Sequence, residues 1–322
     1  LGLPDADGIT ALQELRLALP GVAVLVLTGL ADEDRGVDAV AAGAQDYLVK
    51  GQVDGRLLAR SIRYAVERRR AESELRRLYA AELQAQENAR LERGLLPQPQ
   101  VTDERLRVLS RYRPGGDAVL GGDFFDVVET ADGELHLLVG DVCGHGPDEA
   151  ALGVALRIAW RALVLSGLDA DRLLPVLEDV LVRERRSEEV FATLCMAVVD
   201  APRTSMMLYL AGHPAPLSLG PEPQQLPDDL AGPPLGVLPG VAWGRRSVEL
   251  GERWRLLLFS DGLVEGRAGD DRLGVEGLLE IARDCPHYGD TAALADHLIG
   301  RARELHGEPL PDDVAVLAVE RR

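Results

Sequence analysis

Two aspartates at the open end of a short hairpin are the residues of this sequence best placed to do chemistry. The stretch 121–146 reads Gly-Gly-Asp-Phe-Phe-Asp, then Asp132-Gly133, an apolar run over 135–139, and Gly-Asp-Val-Cys-Gly-His-Gly. Asp-Gly between two apolar runs signals a hairpin with strands over 124–128 and 135–139. Antiparallel pairing then carries Asp123, at the start of one strand, next to Asp141, at the end of the other. Two acids this close disfavour each other's ionisation unless a cation stands between them. Solvated turn acids are the plainer alternative, because Asp and Gly dominate turns.

Two more strand ends shift the balance. Phe259-Ser260-Asp261-Gly262 follows an apolar run over 254–258, and Pro311-Asp312-Asp313 precedes another over 314–319. Both runs read as buried strands. Hard divalent cations such as Mg²⁺ and Mn²⁺ take oxygen ligands, keep several waters and suit a few carboxylates. Four strand-end acids around two cations make a coherent site.

The elements that must position these acids can be read in order. A first strand is expected over 106–113, and helices over 147–166 and 170–186. Strands follow over 191–199 and 206–211, then a Pro/Gly-rich stretch of loop and short strands over 214–239. Two further helices over 274–285 and 291–306 precede the closing strand. Strands with paired helices gathered on their faces give a mixed α/β (α+β) fold. The chain of 322 residues suits two domains, and its 46% hydrophobic content allows a sizeable core. A net charge of −18 argues against nucleic acid as the main partner. Three widely spaced cysteines point to a reducing compartment, and so to the cytoplasm. No apolar run approaches the roughly 18 residues of a membrane span, and no signal peptide is visible.

The six ordered motifs together resemble the bacterial branch of the PPM (protein phosphatase 2C) family, the sporulation-stage-II-E and sigma-factor-regulator serine phosphatases. They are Gly-Gly-Asp-Phe-Phe-Asp, Asp-Val-Cys-Gly-His-Gly, Ala-Gly-His-Pro-Ala-Pro (211–216), Pro-Leu-Gly (234–236), Phe-Ser-Asp-Gly-Leu and Asp-Asp-Val-Ala-Val-Leu. The resemblance implies an α-β-β-α sandwich over 97–322 that hydrolyses phosphoserine or phosphothreonine with two cations, Mn²⁺ or Mg²⁺. It implies that Asp141 bridges both metals, that the Val142 carbonyl adds an oxygen, that Asp123 binds one metal and that Asp261 and Asp312 bind the other. The nucleophile is then a water bridging the metals. Asp126 and Asp313 are expected to act through waters or by bonding to the ligands. In the larger branch of the family a histidine protonates the leaving oxygen, but Cys143 stands at that position here. His145 is therefore expected to be structural, a loop histidine near a helix start. His213 is expected in a turn that shapes the substrate face. Neither histidine has metal-ligand spacing with another.

Residues 1–53 alternate helices and apolar strands, and resemble the C-terminal part of a two-component receiver domain. Thr28 and Lys50 match the receiver's switch threonine and lysine. Lys50 is the only lysine in the chain, and a compact point charge is not interchangeable with a planar guanidinium. The phosphoacceptor aspartate would precede Leu1, so the natural protein is expected to be longer. Residues 54–96 read as one polar helix, without Pro or Gly over 56–93. Its narrow apolar stripe fits a solvated spacer or a dimeric coiled coil. The resemblance implies that this linker carries a signal from a receiver served by a sensor histidine kinase. It also implies a phosphorylated anti-sigma-factor antagonist as substrate. An inactive phosphatase fold kept as a protein-binding scaffold is the alternative. A diguanylate cyclase fits less well, since Gly-Gly-Asp-Phe-Phe lacks that family's glutamate and leaves Asp141, Asp261 and Asp312 unexplained. A DNA-binding regulator lacks its helix-turn-helix.

Overall fold

The computed structural model describes residues 8–19, 21–29, 33–115, 121–144, 146–269, 271–307, 310 and 312–322, with the backbone alone for 33–35, 80–81 and 83–95. The chain divides into two compact units, 1–90 and 91–322.

In the first unit the order is α1 (Gly8–Ala18), β1 (Leu25–Thr28), α2 (Glu33–Ala41) and β2 (Asp46–Val49), and then the long helix α3 (Gly55–Leu95) begins. β1 and β2 pair in parallel, Thr28 opposite Val49. Leu12, Ala39 and Ala44 form the small core beside them. Thr28 is fully buried, and its carbonyl accepts the Lys50 backbone N–H at 2.7 Å. The switch pair of the sequence reading thus stands at the carboxyl ends of two adjacent parallel strands. α3 has forty-one residues with many charges and leaves Leu57, Ile62, Tyr64, Leu75, Leu78 and Tyr79 exposed.

The second unit is a four-layer sandwich. Its elements are β3 (Leu106–Arg113), β4 (Phe124–Glu129), β5 (Leu135–Val142), α4 (Pro147–Leu165), α5 (Ala170–Glu184), β6 (Ala192–Val199), β7 (Ser205–Ala211), β8 (Leu217–Leu219), β9 (Pro223–Gln225), β10 (Arg245–Glu249), β11 (Trp254–Phe259), α6 (Gly262–Glu265), β12 (Arg267–Ala268), β13 (Asp271–Arg272), α7 (Gly274–Arg283), α8 (Thr291–His306) and β14 (Val314–Arg321). One sheet has the order β10-β7-β6-β5-β4 and the other β3-β14-β11-β8-β9.

Side-chain alternation along each strand explains the layers. On β5, Leu135, Leu137 and Val139 face the opposite sheet, where Leu256, Leu258, Ala315 and Leu317 meet them. Leu138 and Val142 face the other way, onto Trp160 of α4 and Leu174 and Leu177 of α5. On the second sheet Leu257, Phe259, Val314 and Val316 face outward onto Leu278 of α7 and Leu294 and Leu298 of α8. Strands buried on both faces therefore carry continuous apolar runs rather than alternating ones. α4 starts with Pro147 in its first turn and Asp148 and Glu149 near its positive end. β10 was not foreseen in the sequence: its exposed edge reads Arg-Arg-Ser-Val-Glu, without the apolar run of its neighbours.

Candidate functional site

The hairpin of β4 and β5 pairs Phe124 with Gly140, which sets Asp123 beside Asp141 at the end of the first sheet. The Asp132-Gly133 turn closes the other end of the hairpin, with Gly133 at φ 89°. Strand alternation points both acids into the gap between the sheets, on the side of Phe125 and Val139. The second sheet ends at the same place. Asp261 follows β11 at the start of α6, and Asp312 and Asp313 precede β14.

Glycines make the close approach possible. A Cβ on Gly122 would stand 2.2 Å from the Val142 carbonyl oxygen and 2.8 Å from Asp141 Oδ1, so only glycine lets the chain pass this close to both oxygens. A Cβ on Gly121 would stand 1.1 Å from Asp313 Oδ2. Asp313 Oδ1 accepts the Gly115 N–H at 2.7 Å, and Tyr112 Oη accepts the Gly121 N–H at 2.8 Å. Asp312 Oδ1 accepts the Asp313 N–H at 2.8 Å. Ser260 reaches across the gap: its hydroxyl donates to Asp123 Oδ2 at 2.6 Å and accepts the Ala315 N–H at 2.9 Å.

The electrostatics follow from burial and like charge. Burial, then the charges of Asp261, Asp312 and Asp313, raise the Asp141 pKa to about 8. Burial, then Glu265 and Asp312, raise Asp261 to about 6. Asp123 is driven well above the usual carboxylate range by burial and by Asp141, against the Ser260 hydrogen bond. The leading charges on all three are other carboxylates. Among the described residues, no three His, Cys, Asp or Glu side chains are already grouped to hold a metal ion. An open set of carboxylate and carbonyl oxygens at the ends of the two sheets suits cations that keep several waters.

The remaining sequence candidates fall elsewhere. Asp126 is fully buried but turns away from the gap, because three positions along a strand reverse the face. It bonds to Arg161 Nε at 2.8 Å, lies 3.5 Å from Arg157, and also accepts from Arg161 Nη2. Arg161 in turn donates to the Gln98 carbonyl at 3.1 Å. The expectation of a role near the metals is thus corrected: Asp126 joins β4 to α4. His145 lies outside the described residues. Cys143 Sγ accepts the Phe191 N–H at 3.3 Å, and burial raises its thiol pKa. His213 lies at a bend just after Gly212, as expected, but does not face an open surface. It is buried between the sheets, 2.8 Å from Thr193 Oγ1 and 3.1 Å from the Phe259 carbonyl. Sequence reasoning missed Ser260, Thr193 and Tyr112. Alternation would have placed Ser260 in the gap, in line with Leu256 and Leu258, and the quoted motif already contained it.

Comparison with known proteins adds five matches. The Stage II sporulation protein E (SpoIIE) family model matches residues 131–322, and the response regulator receiver domain model matches residues 1–62. Phosphoserine phosphatase RsbP of Bacillus subtilis is 24% identical over 182 residues, 56% of this chain and 44% of RsbP. KdpE of Escherichia coli, a KDP operon transcriptional regulatory protein, is 44% identical over 71 residues, 22% of this chain and 31% of KdpE. The chain therefore spans less than half of either relative. A crystal structure of the RsbU and RsbW domains of Rv1364c from Mycobacterium tuberculosis aligns with a TM-score of 0.58 at 28% identity, covering 67% of this chain and 60% of that one.

Proposed function

Because this chain belongs to the SpoIIE family, whose model spans more than half of it, we propose that residues 97–322 form a divalent-cation-dependent phosphoserine/phosphothreonine phosphatase governed by its receiver segment. The observation that carries this reading is the gathering of Asp123, Asp141, Asp261 and Asp312 at the same ends of the two sheets, where glycine at 122 allows close approach to Asp141 and the Val142 carbonyl and Ser260 fixes Asp123. Asp123, Asp141, Asp261, Asp312 and the Val142 carbonyl would hold Mn²⁺ or Mg²⁺. When bound, such ions offset the charge of a phosphomonoester and lower the pKa of a coordinated water from 15.7 toward ~7.

The chain's own residues do the rest. Asp123 and Asp141 keep their carboxylates aimed into the gap because β4 and β5 are rigid, doubly buried strands. Ser260 fixes the rotamer of Asp123 by donating to Oδ2. Asp313, held by the Gly115 N–H, completes the negative wall from the second sheet. Cys143 keeps its proton and is not a nucleophile, since burial pushes its pKa up.

The reading extends to partners. The substrate is a phosphoserine protein, in line with the RsbP likeness, and the motif resemblance points to a phosphorylated anti-sigma-factor antagonist. The full receiver takes its phosphoryl group from a sensor histidine kinase, Thr28 and Lys50 sense it, and helix α3 pairs with a second copy to pass the signal. The protein works in the cytoplasm, and among the described residues no helix is long and apolar enough to cross a membrane.

The test is hydrolysis of p-nitrophenyl phosphate by the chain with Mn²⁺, with Mg²⁺ and with chelator, beside Asp141→Asn. Metal-dependent turnover that disappears in the variant is the expected result. Silence in every metal, from the full chain and from a second preparation spanning 97–322, would favour the scaffold.

A further inference from the structure

We infer that His213 is a positioning residue that fixes the spacing between the acids of the two sheets, and through it the affinity of the site for divalent cations. The inference rests on the reading of Asp123, Asp141, Asp261 and Asp312 as ligands. Those four come from separate sheets: the first two flank β4 and β5, the last two flank β11 and β14. The sheets meet mainly through apolar side chains such as Leu137, Val139, Leu258 and Leu317. Apolar packing is strong but non-directional. At the acid end the apolar filling gives way to carboxylates, so some directional contact must set the distance there.

His213 supplies it. Its ring is 4% exposed and lies between the sheets. Nε2 is 3.1 Å from the carbonyl of Phe259, the last residue of β11, which leads directly into Ser260 and Asp261. Nδ1 is 2.8 Å from Thr193 Oγ1. Thr193 stands opposite Asp141 in the β5–β6 ladder. One imidazole thus spans from the cross-strand neighbour of Asp141 to the peptide that precedes Asp261. A carbonyl can only accept, so Nε2 bears the proton, and in the neutral ring Nδ1 accepts from the Thr193 hydroxyl. Burial, which lowers the His213 pKa to about 4, keeps the ring neutral. The histidine's own backbone is pinned as well. Gly212 forms a parallel bridge with Leu194 of β6, and its N–H donates to the Gly232 carbonyl at 2.8 Å. With both ring nitrogens engaged in protein contacts, His213 has no atom left for substrate. It acts on the site by holding two ligand-bearing strands at one separation.

The experiment is a Mn²⁺ titration of the full 322-residue chain, with free Mn²⁺ counted by electron paramagnetic resonance, so that no turnover is needed. His213→Ala is expected to weaken Mn²⁺ binding roughly 10- to 100-fold, the range for losing a group that orients metal ligands. Thr193→Val, nearly isosteric, shifts binding in the same direction by less. The double variant is no weaker than His213→Ala alone, because both changes cut one bridge. His213→Gln, whose amide reaches the Nε2 position, recovers part of the affinity. Val199→Ala, at the far end of β6, lowers the melting temperature and leaves Mn²⁺ affinity unchanged. Wild-type affinity in His213→Ala, or in Thr193→Val should His213→Ala fail to fold, would overturn the inference. So would a loss in Val199→Ala equal to that in His213→Ala. A wild-type chain that binds no Mn²⁺ would instead sink the reading of the acids as ligands, and this inference with it.

Discussion

At one end of the sandwich Glu129 lies against Arg203, while at the other, on the same strand, Asp123 lies against Asp141. The Glu129 end is neutralised. Arg203 Nη2 donates to Glu129 Oε1 at 2.8 Å and Nη1 donates to the Gly133 carbonyl at 2.6 Å. The Arg203 carbonyl accepts from Trp254 Nε1 and from Arg321 Nη1, each at 2.8 Å. Glu129 Oε2 also accepts the Thr102 N–H, the Thr102 hydroxyl and the Asp103 N–H. At the Asp141 end the leading charges on each buried acid are other carboxylates. Buried charge is stabilising only where it is paired and hydrogen-bonded. The first end therefore reads as a place that contributes stability. The second gives stability up in exchange for a negative cleft, the pattern expected where a cation is to bind.

Arg203→Met gives the largest effect and tests the first half of the contrast. It leaves Glu129 without its guanidinium, while Asp103 keeps that of Arg105, and should cost about 3–5 kcal/mol of stability. Urea denaturation reads that loss. Turnover per folded molecule should be unchanged; if it falls as well, the two ends are coupled and the contrast fails.

Adding a single methyl at each end sharpens the contrast. Gly122→Ala drives a Cβ to 2.2 Å from the Val142 carbonyl oxygen and 2.8 Å from Asp141 Oδ1, so both must shift. Turnover should drop by about 10²–10³-fold, the usual loss when one preorganised electrostatic contact goes. Gly133→Ala, in the distal turn at φ 89°, meets only Ala201 at 3.3 Å. It should cost about 1 kcal/mol of stability through backbone strain and leave kcat alone.

Proton linkage has opposite signs at the two ends. Asp141 binds its proton more tightly folded, pKa about 8, than unfolded, near 3.8, so metal-free stability falls as pH rises through that window. Asp103 is held at about 2, first by its hydrogen bond from Arg105, so it adds stability that is lost as pH falls from 3.8 toward 2. His213, with its pKa lowered from 6.5 to about 4, confuses the middle of the range, because its stabilisation is also lost on acidification. Between pH 6.5 and 8 the acid end dominates, and the chelated chain should lose about 1–2 kcal/mol. Thermal melts with chelator and with Mn²⁺ check this, since bound cation should flatten the slope. A chelated chain that grows more stable from pH 6.5 to 8 would refute the account of the Asp141 end.

The hairpin was legible because one Asp-Gly turn fixes register, and register alone brings Asp123 to Asp141. The layers were legible from apolar runs too continuous for a half-exposed sheet. Asp126 was misplaced although its parity was on the page: three positions from Asp123, it had to face α4. Arg157 and Arg161 stand four positions apart on α4, so they share a face, and that face meets Asp126. The contacts of His213 and Arg203 could not be read. Their partners lie on strands distant in sequence, and Arg203 also sits at φ 66° without being glycine. Local patterns carry strand ends and faces, whereas contacts between sheets depend on how the sheets stack.

The smallest predicted effects come from one interaction that occurs at both ends. Thr102 Oγ1 donates to Glu129 Oε2 at 2.7 Å, and Ser260 Oγ donates to Asp123 Oδ2 at 2.6 Å. Each is a hydroxyl hydrogen bond to a carboxylate, so their local energies should be alike. Thr102→Val should cost about 1 kcal/mol of stability. It should leave Mn²⁺ binding untouched, because Glu129 keeps Arg203 and two backbone N–H groups. Ser260→Ala removes the hydroxyl that orients Asp123 and also leaves the Ala315 N–H without its acceptor. Its cost in stability should be comparable, because losing a donor makes ionised Asp123 still harder to keep and a protonated Asp123 loses little. Its cost in Mn²⁺ affinity should be roughly tenfold or more, since a ligand that must be both charged and aimed has lost the group that does both. Melting temperature and Mn²⁺ titration, run on the two variants side by side, separate these outcomes. Equal Mn²⁺ affinity in the two would mean that position on the strand, rather than Ser260, sets Asp123, and the two ends would then differ only in charge.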